Sequence, residues 1–194
     1  MRGGFSMLSV IIPTEGLERP TVATLAALVP GAAAGLVREV LLVDRGGDGV
    51  IERVADVSGC RFLSFEGSRV AGLAAGARQA RSPWLMFLRP GAVLDTGWIE
   101  ETTQFIQSVA SSGRARAGVF RYARSPYAER RPRDSLRFLV RMVAGPLTDQ
   151  GLLIARDHYV QLGGYSSDTR GEARLLRRLG RSSRTLLRSR IIMV

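Results

Sequence analysis

The chain has no lysine, one histidine and one cysteine among its 194 residues. A single cysteine, Cys60, excludes an intramolecular disulfide and any cysteine-cluster metal site. The lone His158 has no second histidine with which to build a zinc site. Cys60 reads as a small apolar residue entering a strand. No apolar run approaches the roughly 18 residues needed to span a bilayer. The opening MRGGFSMLSVIIP meets Pro13 where a signal peptide would need a small-residue cleavage site. A reducing, cytoplasmic setting fits these shortages, with peripheral contact at the inner membrane left open.

What is present is arginine, unevenly placed. Residues 1–113 hold 10 arginines against 11 acids, whereas residues 114–194 hold 18 against 6. Segregated positive charge suits an anionic partner, such as a phosphorylated substrate, lipid headgroups or nucleic acid. A solvated surface with biased codon usage explains it equally well. At 45% hydrophobic the chain can bury one core, so a single domain over residues 1–194 is expected.

The hydrophobic pattern alternates. MLSVIIP (7–13), REVLLVD (38–44), CRFLSF (60–65) and WLMFL (84–88) read as strands. Helices are expected over 19–28, 49–59, 69–81 and 96–110. That order predicts an α/β fold with a mainly parallel sheet flanked by helices. Beyond residue 114 the pattern is less regular. A strand is expected over 115–123, a polar loop over 124–134, a helix over 135–145 and a short strand within 149–156. Helices over 157–165 and 171–180 complete the reading.

Chemistry in such a sheet belongs at the carboxyl ends of the strands. Asp44 closes the second strand ahead of RGGDG, where a carboxylate can meet a ribose or a base edge; it also reads as a turn residue, with Asp48 as a helix cap. The first strand is followed by TEGLERP rather than G-x-G-x-x-G, which disfavours a Rossmann dehydrogenase. The fourth strand runs into Arg89-Pro90-Gly91, a cation and a glycine, and its first carboxylate is Asp95. Trp98 reads as core and His158 as surface structure.

Taken together, LSVIIPT, EVLLVDRGGDG, GLAAGARQA, WLMFLRPGAVLDTGWIE and DQGLLIARDHYVQLGGY resemble, in order, the family 2 glycosyltransferases with a GT-A fold. The likeness is greatest to small bacterial members of the arsenosugar type and covers Leu8 to about Gly180. It implies a nucleotide-diphospho-sugar transferase fold, with a nucleotide-binding half at 1–113 and an acceptor half at 114–194. It assigns Pro13, Asp44 and Arg69 to the nucleotide, and Asp149 and Gln150 to the sugar side. The family's metal motif falls on Arg89-Pro90-Gly91, so the metal-ligand aspartate is Gly91 and a usual asparagine is Ala74. Magnesium or manganese, which take oxygen ligands, are therefore not supported, and no metal ligand is assigned. Arg89 can instead bind a diphosphate directly through paired hydrogen bonds. Counting back from Gly180 puts the family's acidic pair at Asp168 and Thr169, and a short register shift names Glu172 as base instead.

Three functions stay open. One is sugar transfer from a nucleoside diphosphate sugar to an unidentified hydroxyl, without a required metal. The second is a non-catalytic sugar-nucleotide-binding or regulatory protein. The third is a binder of an anionic membrane or nucleic acid through the basic half, although sparse aromatics and no recognisable motif speak against nucleic acid. Leu175, Leu176 and Leu179 are either the core face of the 171–180 helix or its accompaniment at a lipid-linked, anionic acceptor surface met by Arg174, Arg177 and Arg178.

Overall fold

A computed structural model describes residues 8–45, 47–123, 151–166, 171–180 and 182–194, the side chain of Glu172 excepted. The expected loop at 124–134 and helix at 135–145 lie outside the described residues. The strands are β1 (Leu8–Pro13), β2 (Val37–Asp44), β3 (Arg61–Ser64), β4 (Trp84–Phe87), β5 (Ala92–Leu94), β6 (Ala117–Ala123), β7 (Leu152–Ala155) and β8 (Arg184–Met193). The helices are α1 (Glu18–Ala33), α2 (Val50–Ser58), α3 (Arg69–Gln79), α4 (Trp98–Ser112), α5 (Arg156–Gln161) and α6 (Gly171–Leu179).

All eight strands share one sheet in the order β3-β2-β1-β4-β7-β6-β8-β5. The first four are mutually parallel, as strand-helix alternation requires. Past β4 the sheet is mixed: β7 is antiparallel to both β4 and β6, β8 is parallel to β6, and β5 is antiparallel to β8. Two strands escape the sequence reading. The basic tail RTLLRSRIIM, given no element from sequence, is β8, and three residues after the Arg89-Pro90-Gly91 break form β5. Helix α1 also runs beyond its expected end at residue 28, carrying Pro30 in its last turn, where the ring removes one N–H bond to the carbonyl of Ala26.

Side chains of β1 divide the core in two. Leu8, Val10 and Ile12 face α1, α2 and α4, whereas Ile11 faces α3, α5 and α6. Trp98 is core, 2% exposed and packed against Gly31 of α1. On the other face, Gly76 lets α3 sit directly on the sheet, because a Cβ there would lie 2.7 Å from Ile11 and 3.1 Å from Val43. Leu175 and Leu179 are the buried face of α6, the core reading of that helix. The Arg156 guanidinium caps the end of α3 by donating to the Ala77, Ala80 and Ser82 carbonyls.

Two carboxylates hold backbone that the ladder leaves unpaired. Between Val119 and Arg121 the register against β8 advances from Leu186 to Arg190, so β8 bulges. Glu101 of α4 accepts the freed N–H groups of Arg188 (2.5 Å) and Ser189 (2.6 Å), and Asp95 accepts that of Arg190 (2.9 Å). Glu39 collects Ser9 Oγ (2.6 Å), the Arg81 N–H (2.5 Å) and the Arg61 guanidinium (2.9 Å). Burial pushes both glutamates up, but these donors outweigh it and hold each below the ordinary carboxylate value.

Two outcomes follow from this packing. Gly76→Val overpacks the α3–sheet contact and lowers stability by about 2 kcal/mol, read from the urea midpoint; an unchanged midpoint contradicts the close approach. Glu101 and Glu39 stabilise the fold fully above the ordinary value of 4.5 and lose that contribution as pH falls through their lower folded values. Glu101→Gln is therefore least stable relative to the parent near neutrality, and the gap closes in acid when urea midpoints are compared across pH.

Candidate functional site

The carboxyl ends of β2, β1 and β4 lie side by side on one edge of the sheet. Pro13 pairs with Val43, and the Leu88 N–H reaches the Ile11 carbonyl, so Arg89 stands beyond β4 where Pro13 closes β1. Two inter-strand spacings separate the β2 and β4 backbones there, about 10 Å. The edge expected to unite Pro13, Asp44 and the end of the fourth strand therefore exists.

Asp44 is buried at this edge and fixed by the chain that follows β1. Thr14 Oγ1 donates to Asp44 Oδ1 at 2.5 Å, and the Gly16 N–H donates to the same oxygen at 2.7 Å. The turn that delivers Gly16 puts Glu15 in the left-handed region at φ 50°, costly for a non-glycine residue. A strained turn that orients a carboxylate is a recurrent feature of binding sites.

Asp44, Pro13 and Arg69 line one small pocket with Glu15, Arg45, Phe65 and Ser68. Arg69 enters it from the first turn of α3, whose start is capped by Ser68 Oγ accepting the Ala71 N–H. Phe65 follows β3, and its N–H donates to the Asp44 carbonyl at 2.7 Å. Thr14, Gly16, Arg45 and Phe65 were missed from sequence. Their only signal was position, each within three residues of a strand's carboxyl end. An anion-binding guanidinium, a carboxylate and a half-buried aromatic suit a nucleoside carrying phosphate.

Arg89 and Gly91 occupy the neighbouring loop. The Thr24 hydroxyl and the Ala92 N–H both donate to the Arg89 carbonyl, and the Gly91 N–H donates to the Pro20 carbonyl. Gly91 has φ 86°, and a Cβ there would lie 2.7 Å from the Val194 carbonyl oxygen. A divalent cation does not fit this loop. Gly91 offers no side-chain ligand and no room for one, its carbonyl accepts the Val194 N–H, Arg89 is itself a cation, and Asp95 Oδ2 accepts the Arg190 N–H. Ala74, at the family's asparagine position, is buried in the α3 core.

Asp149, Gln150 and Asp168 lie outside the described residues, as does the Glu172 side chain. The backbone of α6 nonetheless starts beside α3, since a Cβ on Gly171 would lie 2.8 Å from Val70 Cγ1. His158, expected at the surface, is buried instead at 8% exposure; burial depresses its basicity, and a backbone hydrogen bond with Arg116 partly offsets this. It sits on α5, reached from the far end of β4 where Ala155 pairs with Trp84, and so stands away from the site. Burial also raises the Cys60 thiol, which disfavours the thiolate. A larger groove of about 590 Å³ runs between α4 and β8. There Glu101 and Asp95 Oδ2 serve the β8 bulge, while Asp95 Oδ1 has no hydrogen-bond partner among the described residues. The smaller pocket is the candidate because Asp44 and Arg69 meet in it at the carboxyl ends of the strands.

No protein-family model and no curated protein matches the sequence. Many solved structures match the fold, the following two among them. Residues 1–349 of S. aureus TarS align over 97% of this chain with a TM-score of 0.70 and 12% identity. A mycobacterial protein aligns over 96% with a TM-score of 0.63 and 15% identity. The chain spans 60% and 65% of those two structures. The fold is thus GT-A-like, with a large curled, mixed sheet flanked by helices.

Thr14→Val tests the clamp. It removes a hydrogen bond to a buried carboxylate and is expected to cost about 1.5–3 kcal/mol in urea unfolding. An unchanged midpoint would show that Thr14 does not hold Asp44.

Proposed function

We propose that the protein transfers a sugar from a nucleoside diphosphate sugar to a hydroxyl group, with inversion. The observation that carries this reading is the pocket of Asp44, Phe65 and Arg69 at the carboxyl edge of a GT-A-like sheet, with Arg89 on the adjoining loop. In this reading Asp44 orients the nucleoside, while Arg69 and Arg89 meet the diphosphate. The acceptor oxygen bonds to the anomeric carbon as the bond from that carbon to the diphosphate oxygen breaks. Asp168 or Glu172 takes the acceptor's proton, and the leaving diphosphate carries away the bonding pair. Charge on that leaving group is met by Arg89 through charge-assisted hydrogen bonds, in place of a cation. The start of α6 beside Val70 supports a base from this segment, because it brings residue 172 to the α3 side of the pocket.

A non-catalytic sugar-nucleotide binder on the same site is favoured by one observation, the burial of Ala74 where the family carries a polar group.

Calorimetric titration with nucleoside diphosphates and their sugar conjugates tests the proposal. Weak binding is expected, unchanged by manganese or chelator and reduced about tenfold or more by Arg89→Gln. Slow sugar release in the same samples separates a transferase from a binder. A strict manganese requirement for binding would overturn the role given to Arg89.

A further inference from the structure

The arginines of the second half are not equivalent. Arg156 caps α3, Arg178 donates to the Leu162 carbonyl and Arg184 donates to the Leu176 carbonyl. These guanidiniums serve the fold, and Arg178 is the one among them that α6 carries. Arg121 and Arg190 differ. They are direct register partners on the parallel pair β6–β8, and both are exposed. Val119, two residues before Arg121, faces the α3 side, while Ile191, next to Arg190, faces the α4 side. Alternation therefore puts both guanidiniums on the α3 side of the sheet, their backbones about 4.8 Å apart. Neither makes an ion pair or a side-chain hydrogen bond among the described residues.

Like charges directly opposite on a sheet are destabilising. The bulge held by Glu101 and Asp95 advances β8 by two residues, so Arg190 rather than Arg188 stands opposite Arg121. Bulges that re-aim side chains recur beside functional sites. The pair is also level with the candidate donor loop. Phe87 pairs with Leu152 and Leu152 with Val119, so Arg89 and Arg121 each stand two residues beyond that line. They are two strands apart, about 10 Å, each one residue beyond the Leu88 and Phe120 that flank Gly151.

We infer that Arg121 and Arg190 bind a phosphoryl group carried by the acceptor, so that the acceptor is a phosphate-bearing molecule. The inference rests on the transferase reading for the word acceptor, but the anion site itself does not. One phosphoryl group presents several acceptor oxygens to two guanidiniums and cancels their repulsion.

The test is a titration of the full chain with inorganic phosphate at constant ionic strength, followed by the Nε–Hε resonances of its arginines. It is run in saturating nucleoside diphosphate to occupy the donor pocket. Saturable shifts at Arg121 and Arg190 are expected. Affinity should fall about tenfold or more in Arg121→Gln and in Arg190→Gln. Both variants relieve repulsion, so neither should melt below the parent without phosphate. Equal phosphate affinity in parent and variants overturns the proposal. So does sedimentation with phosphatidylglycerol but not phosphatidylcholine vesicles in the absence of any phosphate response, which would mark a diffuse membrane surface instead. Failure of nucleoside diphosphate to bind at all sinks the transferase reading, while the phosphate result still decides the anion site.

Discussion

The loop from Leu88 to Gly91 sets the shape of the molecule. It joins β4 to β5, yet these strands stand fourth and eighth in the sheet. Four spacings of a flat sheet span about 19 Å. The loop cannot reach that far. The Ala92 N–H bonds back to the Arg89 carbonyl, closing a turn whose ends lie within about 7 Å. The two residues from Phe87 to Arg89 add about 7 Å more. The sheet must therefore curl until its far edge returns over the end of β4. Gly151 sits at that closure with φ 70°, where a Cβ would meet Ile191, Leu88 and Phe120 at 2.7–3.2 Å.

This closure links the two halves chemically. It sets the loop bearing Arg89 against the final strand, where Val194 donates to the Gly91 carbonyl. It also places the arginine pair of β6 and β8 on the edge that carries Asp44 and Arg69. A glycine at position 91 is then a geometric necessity as much as the loss of a ligand, because backbone occupies the space a carboxylate would need. In the proposed function Arg89, two residues earlier, meets the diphosphate charge by another route.

Most of the first half was legible in sequence because its signals are local. The apolar runs of β1, broken only by Ser9, and of β4 mark strands buried on both faces, and Asp44 stands where a strand visibly ends. The second half was less so. β8 carries arginine and serine between its apolar residues, because one of its faces is solvated and its bulge is satisfied by carboxylates 87 to 95 residues away. No local pattern reports such a partner. Three-residue β5 is too short to show a period, and its pairing is fixed only by the closure. Thr14 and Phe65 reach the site through tertiary contacts that no motif encodes, whereas the burial of His158 against the Arg116 backbone reverses a reading based on its polar neighbours alone.

In the proposed function, one edge of this sheet binds a sugar nucleotide with guanidinium in place of metal. A crystal structure of the chain grown with a nucleoside diphosphate and manganese decides this. The nucleoside is expected between Asp44, Phe65 and Arg69, with the diphosphate on Arg89 and no cation bridging it to the Leu88–Gly91 loop. A nucleotide seated in the groove between α4 and β8, or a manganese ion joining the diphosphate to that loop, would contradict it.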